Sequence, residues 1–202
     1  MKNYKFLVIF MASLFSFNDI YGSSIVIKNA NIFDGIGEES YEGHILIKDG
    51  MINRISKSTS LQGDIIIDAK GKIVTPGFIS PDTEIGIVEI GALSVTRDDQ
   101  SSIYDIGFSI HDAFNPNSTL IPWNRSNGIT SALTLPRNTS SPIGGLGSFF
   151  LLDSKLDISS EADIVMIGRI GGSGSSSRSE TLSLIDDILS FASSLNKKDI
   201  SS

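Results

Sequence analysis

Residues 72–86 read Lys72-Ile73-Val74-Thr75-Pro76-Gly77-Phe78-Ile79-Ser80-Pro81-Asp82-Thr83-Glu84-Ile85-Gly86. Before Pro76 the chain is a run of short strands, and after it apolar strand-like runs alternate with polar, helix-compatible stretches. Pro76-Gly77 therefore marks the change from a small β region to an α/β region.

On the N-terminal side, Ser24–Lys28 alternates and carries β-branched residues, and Asn29–Gly35 continues it into a turn. His44–Lys48 and Met51–Ile55 are two strands joined by Asp49-Gly50, a pair suited to the two positive φ angles of a type I′ hairpin. Asp64–Asp68 is a further strand, and Lys70-Gly71 turns the chain into Lys72–Thr75. The spacing predicts a small sheet, or half of a sandwich, over residues 23–75.

On the C-terminal side, Phe78-Ile79, Gly128–Leu135 and Ala162–Gly168 have the look of buried parallel strands, and Gly147–Leu152 that of a local hairpin strand. Ser101–Phe114 is a helix candidate ended by Asn115-Pro116. Ser179–Leu195 is a stronger one, since Leu182, Ile185, Ile188, Leu189 and Ala192 fall on one face. Gly171–Ser177 reads as a linker in front of it.

Further out, Lys2 and Lys5 precede the apolar run Phe6–Phe17, and Gly22 offers a small residue for cleavage. This is the order of a secretory signal over residues 1–22, with an apolar run shorter than the ~20 residues of a membrane span. The expectation is an exported chain, periplasmic or secreted, with no membrane span after cleavage. The chain has no cysteine, which excludes disulfides, thiolate metal sites and a lipid-bearing cysteine. Without Lys2, Lys5 and Asp19 the remainder holds 14 basic and 22 acidic residues. No basic cluster survives, so nucleic acid is not an expected partner.

Three stretches carry a resemblance: IVIKNANIFDG, then HILIKDGMINRIS, then IIDAKGKIVTPGFI. In order and spacing they resemble the opening of the amidohydrolase superfamily, metal-dependent hydrolases built on a TIM barrel with a small β-sandwich. Ile121–Arg125, Gly128–Thr130 and Pro142–Gly147 add a likeness to an exported, imidazolonepropionase-like subgroup, and the resemblance covers roughly residues 24–170. It implies a small-molecule substrate or ligand, hydrolysis of carbon–nitrogen bonds other than peptide bonds, and a divalent metal that activates water.

The same resemblance puts two histidine ligands where this sequence has Asp82 and Glu84, and an aspartate where it has Ser80. Carboxylates favour harder ions than imidazole does, so zinc or a harder cation is the metal to consider at Asp82 and Glu84. Their i, i+2 spacing places both on one side of an extended segment. The alternative is two solvated loop carboxylates, on a degenerate barrel that binds or scaffolds without catalysis, a pseudoenzyme. From Pro76 to Ser202 there are 127 residues, against ~250 for a TIM barrel. The expectation for residues 76–202 is the first part of a (β/α)8 barrel, incomplete, in a truncated or split product.

Other candidates are few. His44, at the start of a strand, is expected at the surface. His111 beside Asp112 is either an imidazole oriented for acid–base work or a partly buried hydrogen-bonded pair in a helix. Asp98-Asp99, after Thr96-Arg97, is either a pair of ligands or a substrate clamp in the loop above the first barrel strand, or else a solvated turn. Ile143–Gly147 could form a tight loop and anion nest but lacks the lysine of a P-loop, and no Gly-x-Ser-x-Gly elbow is present.

Overall fold

The computed structural model describes residues 23–57, 61–137, 141–153, 155–170 and 177–195. The signal-like leader and most of the Gly/Ser linker lie outside these residues. The chain divides into two compact units between Pro76 and Gly77. It is mostly sheet, with few helices.

The first unit is one mixed sheet of β1 (Ile25–Ile32), β2 (Tyr41–Lys48), β3 (Met51–Ser56), β4 (Ile65–Asp68) and β5 (Ile73–Val74). β2 runs antiparallel between β1 and β3, while β4 and β5 both lie parallel to β1. The Asp49-Gly50 hairpin forms with φ of 52° and 74°, the positive pair its type requires. Asn29, at φ 53°, makes a bulge where the β1–β2 register slips between Ile27 and Ala30. Ala30, Ile32, Ile45 and Ala69 form one small core, and Val26, Leu46 and Leu61 another. Ser24 and Asp64 fix the start of the β1–β4 pair reciprocally. The Ser24 backbone N–H and hydroxyl donate to the Asp64 carboxylate at 2.9 and 2.7 Å, and the Asp64 N–H donates to Ser24 Oγ at 3.0 Å.

The second unit is built on a sheet in the order β6 (Phe78–Thr83), β7 (Ile129–Thr134), β8 (Ile143–Leu151), β9 (Ser160–Gly168). The β6–β7 pair is parallel, as the sequence predicts, and its long crossover contains α1 (Leu120–Ser126). β8 returns antiparallel, as predicted for a hairpin strand. β9 departs from expectation, for it is antiparallel to β8 rather than a further parallel strand. Only eight residues separate Leu151 from Ser160, and a parallel return needs a crossover of about a dozen or more.

Ser101–Phe114 is not a helix: it is a set of turns ending in a 3-10 turn at His111–Ala113. The Ser101 hydroxyl accepts from the N–H groups of Ile103 and Tyr104, which diverts the backbone from helical pairing. Phe108 then takes the Leu146 N–H on its carbonyl, and Ile110 is fully buried. The core gathers Ile85, Ile87, Ile110, Phe114, Ile121, Phe150 and Leu152, with the Phe114 and Phe150 rings stacked 3.8 Å apart. Gly77 is needed for close approach, since a Cβ there would overlap the Thr130 side chain.

The last helix, α2 (Arg178–Ser194), is capped by Ser177, whose Oγ accepts from the Glu180 N–H at 3.1 Å. That cap lies two residues before the predicted start. The apolar face predicted for this helix is largely open, with Leu182 and Leu189 each about half exposed.

Candidate functional site

At the end of β6 the ladder to β7 becomes irregular. Ser80 pairs with Ala132 and Thr83 with Thr134, so Pro81 and Asp82 face Leu133 alone. Pro81 has no N–H to give to a ladder. Pairing resumes where the Leu135 N–H donates to the Thr83 carbonyl at 2.9 Å and Thr134 Oγ1 donates to the Ile85 carbonyl at 2.9 Å. Asp82 and Glu84 thus flank Thr83 at the C-terminal end of the parallel pair.

Two residues past Leu135 stands Arg137, the residue that sequence reasoning missed. Its Nε donates to Glu84 Oε1 at 2.6 Å, and its Nη2 meets Asp82 Oδ1 at 2.6 Å. One edge of a planar guanidinium therefore spans the two carboxylates, with the side chains of Arg137 and Glu84 about one-third exposed and that of Asp82 more open. Burial works against the charge of Arg137, and its hydrogen bonds to Glu84 and Asp82 outweigh that, raising its pKa. The one sequence signal was that Arg137 is the sole basic residue between Arg125 and Lys155, directly after an apolar strand.

A second ion pair joins this one. The Arg137 backbone N–H donates to the Asp99 carbonyl at 2.7 Å. The Asp99 carboxylate is fully buried and held by Arg97 through Nε at 3.0 Å and Nη2 at 2.6 Å. Hydrogen bonding to Asp99, with the charges of Asp99 and Glu84, raises the Arg97 pKa. Asp99 is thus no solvated turn residue, while Asp98 beside it is exposed.

The remaining candidates lie apart in their contacts. His111 hydrogen-bonds to Asp112 at 3.2 Å and to Ser160 Oγ at 2.9 Å, and its ring stacks on Phe150. His44 is not at the surface. It is 5% exposed, and its Nδ1 accepts the Asn29 N–H at the β1 bulge. It belongs to the first unit, where a 490 Å³ recess is lined by Asn29, Asn31, Glu42, His44 and Lys57 among others. Gly144, Gly145 and Gly147 stand inside β8 rather than in an anion-binding loop.

The fit to a divalent metal can be tested on these groups. Asp82 and Glu84 do lie together, but both are already engaged by a cationic side chain. Among the described residues no group of three or more His, Cys, Asp or Glu is placed to hold a metal ion. The groups present therefore do not fit such an ion at this pair.

No protein-family model matches the chain. A dihydroorotase from Caldanaerobacter subterraneus subsp. tengcongensis is 44% identical over 61 residues, which are 30% of this chain and 14% of that enzyme. A 5-methylthioadenosine/S-adenosylhomocysteine deaminase from Thermococcus onnurineus is 39% identical over 57 residues, 28% of this chain and 13% of that one. Among solved structures, an amidohydrolase from Thermotoga maritima superposes with a TM-score of 0.64 at 24% identity, over 82% of this chain and 46% of that protein. The last likeness is one of fold, and the chain covers less than half of that amidohydrolase. Over partial coverage, then, the relatives and the structural neighbour are of amidohydrolase type.

Proposed function

We propose that this chain is part of an exported hydrolase of amidohydrolase type, acting on carbon–nitrogen bonds, other than peptide bonds, in a small molecule. The observation that carries the reading is the order of its parts. A small mixed sheet leads through Pro76-Gly77 into a parallel β6–β7 pair, an order that superposes on an amidohydrolase over most of this chain. The two curated relatives named above are enzymes of carbon–nitrogen bonds, one a dihydroorotase and one a deaminase. Substrate-facing loops in such α/β frameworks follow the C-terminal ends of the parallel strands, and here those ends carry Asp82, Glu84 and Arg137.

In this reading the residues of the chain orient charge and hold the loops rather than move protons. Arg137 fixes two carboxylates at the end of β6, and Arg97 neutralises a buried one beside them. Export rests on the basic start and apolar run at residues 1–22. Among the described residues no helix is long and apolar enough to cross a membrane.

The test is turnover by the protein made from its whole gene. Ring opening of dihydroorotate and a hydantoin would be followed by absorbance, and ammonia release from 5-methylthioadenosine by a coupled assay. Hydrolysis of any of these supports the reading. Complete inactivity over the panel, with and without added zinc or manganese, would sink it.

The engagement of Asp82 and Glu84 by Arg137 favours a second reading, a non-catalytic ligand-binding protein on the same framework. It predicts ligand-dependent thermal stabilisation without turnover. That stabilisation should survive in the Asp82→Ala/Glu84→Ala variant, and a strict requirement for both carboxylates would argue against it.

A further inference from the structure

We infer that Arg137 is the resident cation of the Asp82–Glu84 pair: its guanidinium replaces a divalent ion there, and the pair is a metal-independent clamp between the end of β6 and the exit of β7. This goes beyond the hydrolytic reading and does not depend on it, because ion binding and turnover are measured separately.

The first support is geometric. Two contacts of 2.6 Å from different nitrogens of one guanidinium to two different side chains are charge-assisted hydrogen bonds. A guanidinium presents these donors in a fixed fork, so meeting both acceptors at once restricts where each carboxylate can go.

The second support is that Arg137 is anchored independently of the pair. Pro136 before it is fully buried and restricts the backbone, and the Arg137 N–H is held by the Asp99 carbonyl at 2.7 Å. Asp99 is in turn locked by Arg97. The guanidinium is therefore delivered to the carboxylates by a braced segment and not by a free loop.

The third support is charge. The guanidinium already sits between the two carboxylates and contacts both. A divalent ion added between Asp82 and Glu84 would meet the guanidinium at contact distance, where like charges repel. To enter, it would have to displace Arg137, and the described residues supply no third carboxylate or imidazole to complete its shell. Arg137 is in this sense a positioning residue, acting through the two acids.

The experiment compares the full protein with Asp82→Asn/Glu84→Gln, Arg137→Gln and Arg137→Lys. Each is stripped with chelator, and then titrated with zinc and with manganese by calorimetry. Bound metal is counted after desalting, and thermal stability is recorded with and without the ion. The expected result is that the unmodified protein and Asp82→Asn/Glu84→Gln bind the same amount of metal with the same affinity. Arg137→Gln should gain pair-dependent affinity of about tenfold or more, from removal of one contacting charge. Arg137→Lys should keep the ion out, because it keeps the charge.

An ion bound by the unmodified protein and lost in Asp82→Asn/Glu84→Gln overturns the inference. So does an Arg137→Gln protein that folds and gains nothing. Should Arg137→Gln fail to fold, the comparison of the unmodified protein with Asp82→Asn/Glu84→Gln decides alone.

Discussion

At the scale of single residues, charge placement matters more than charge count. The Arg137–Glu84 contact is short but about one-third open to water, so its coupling should be modest. A double-mutant cycle with Arg137→Ala and Glu84→Ala should give a coupling of about 1 kcal/mol, weakened by salt. A coupling indistinguishable from zero would show that the contact does not hold in solution. Asp64 and Asp68 make a different statement. Hydrogen bonds from the Ser24 backbone N–H and hydroxyl hold the Asp64 pKa below its ordinary value, and a bond from the Asn29 side chain does the same for Asp68. A carboxylate whose pKa is depressed on folding stabilises the fold above the unfolded value and loses that contribution as pH falls through the folded one. The first unit should therefore lose stability as pH drops below the ordinary aspartate value of about 3.9. Asp64→Asn should flatten that acid limb in urea melts recorded across pH. An unchanged slope would mean that Ser24 does not hold Asp64 in solution. None of these pairings is visible locally, since Arg137 is 53 residues from Glu84 and Ser24 is 40 from Asp64.

At the scale of elements, the sequence is legible where pairing is local and opaque where it is not. Alternation and the Asp49-Gly50 turn locate β2 and β3, and the apolar run through Gly128–Leu135 locates β7, because each signal lies within the element it specifies. The direction of β9 depends on the length of the connection before it, which alternation does not record. His44 was misplaced for a related reason: its burial follows from the β1 bulge that brings the Asn29 N–H to its ring, and a bulge shows only in the paired strands. Ser101–Phe114 lost its helix to a serine hydroxyl and to docking against β8. In the second unit the stacked Phe114 and Phe150 rings bear the packing. Phe150→Ala should cost about 3–5 kcal/mol in chemical denaturation, as for a fully buried aromatic. A loss under about 1 kcal/mol would mean that the site collapses around the gap. Gly86 stands at φ 86° with the Phe114 ring where a Cβ would go, so Gly86→Ala should lower the melting temperature through both strain and overlap. A melting temperature equal to that of the unmodified protein would contradict this placement of Phe114.

At the scale of the whole molecule, each unit carries its own core. Truncation of a core residue should therefore act first on the unit that contains it. Ile45→Ala should weaken hydrogen-exchange protection in β1 and β2 and leave β7 and β8 protected, and Phe150→Ala should do the reverse. Uniform loss of protection in both variants would show that the two cores unfold as one. The acidic balance, a formal net charge of −7, disfavours polyanionic partners and leaves the small-molecule reading in place.

The topology of the first unit has a consequence for the order in which it can be assembled. β1 takes its parallel neighbours from far downstream, Ile25 beside Ile65 and Asn31 beside Ile73. As the chain emerges N-terminus first, β1 can join the β2–β3 hairpin early, but its other side stays bare until the chain has emerged through Val74. Closing that long loop costs entropy before any contact repays it. The first unit therefore cannot complete its sheet before β4 and β5 arrive, and until then β1 presents an unpaired edge open to other strands.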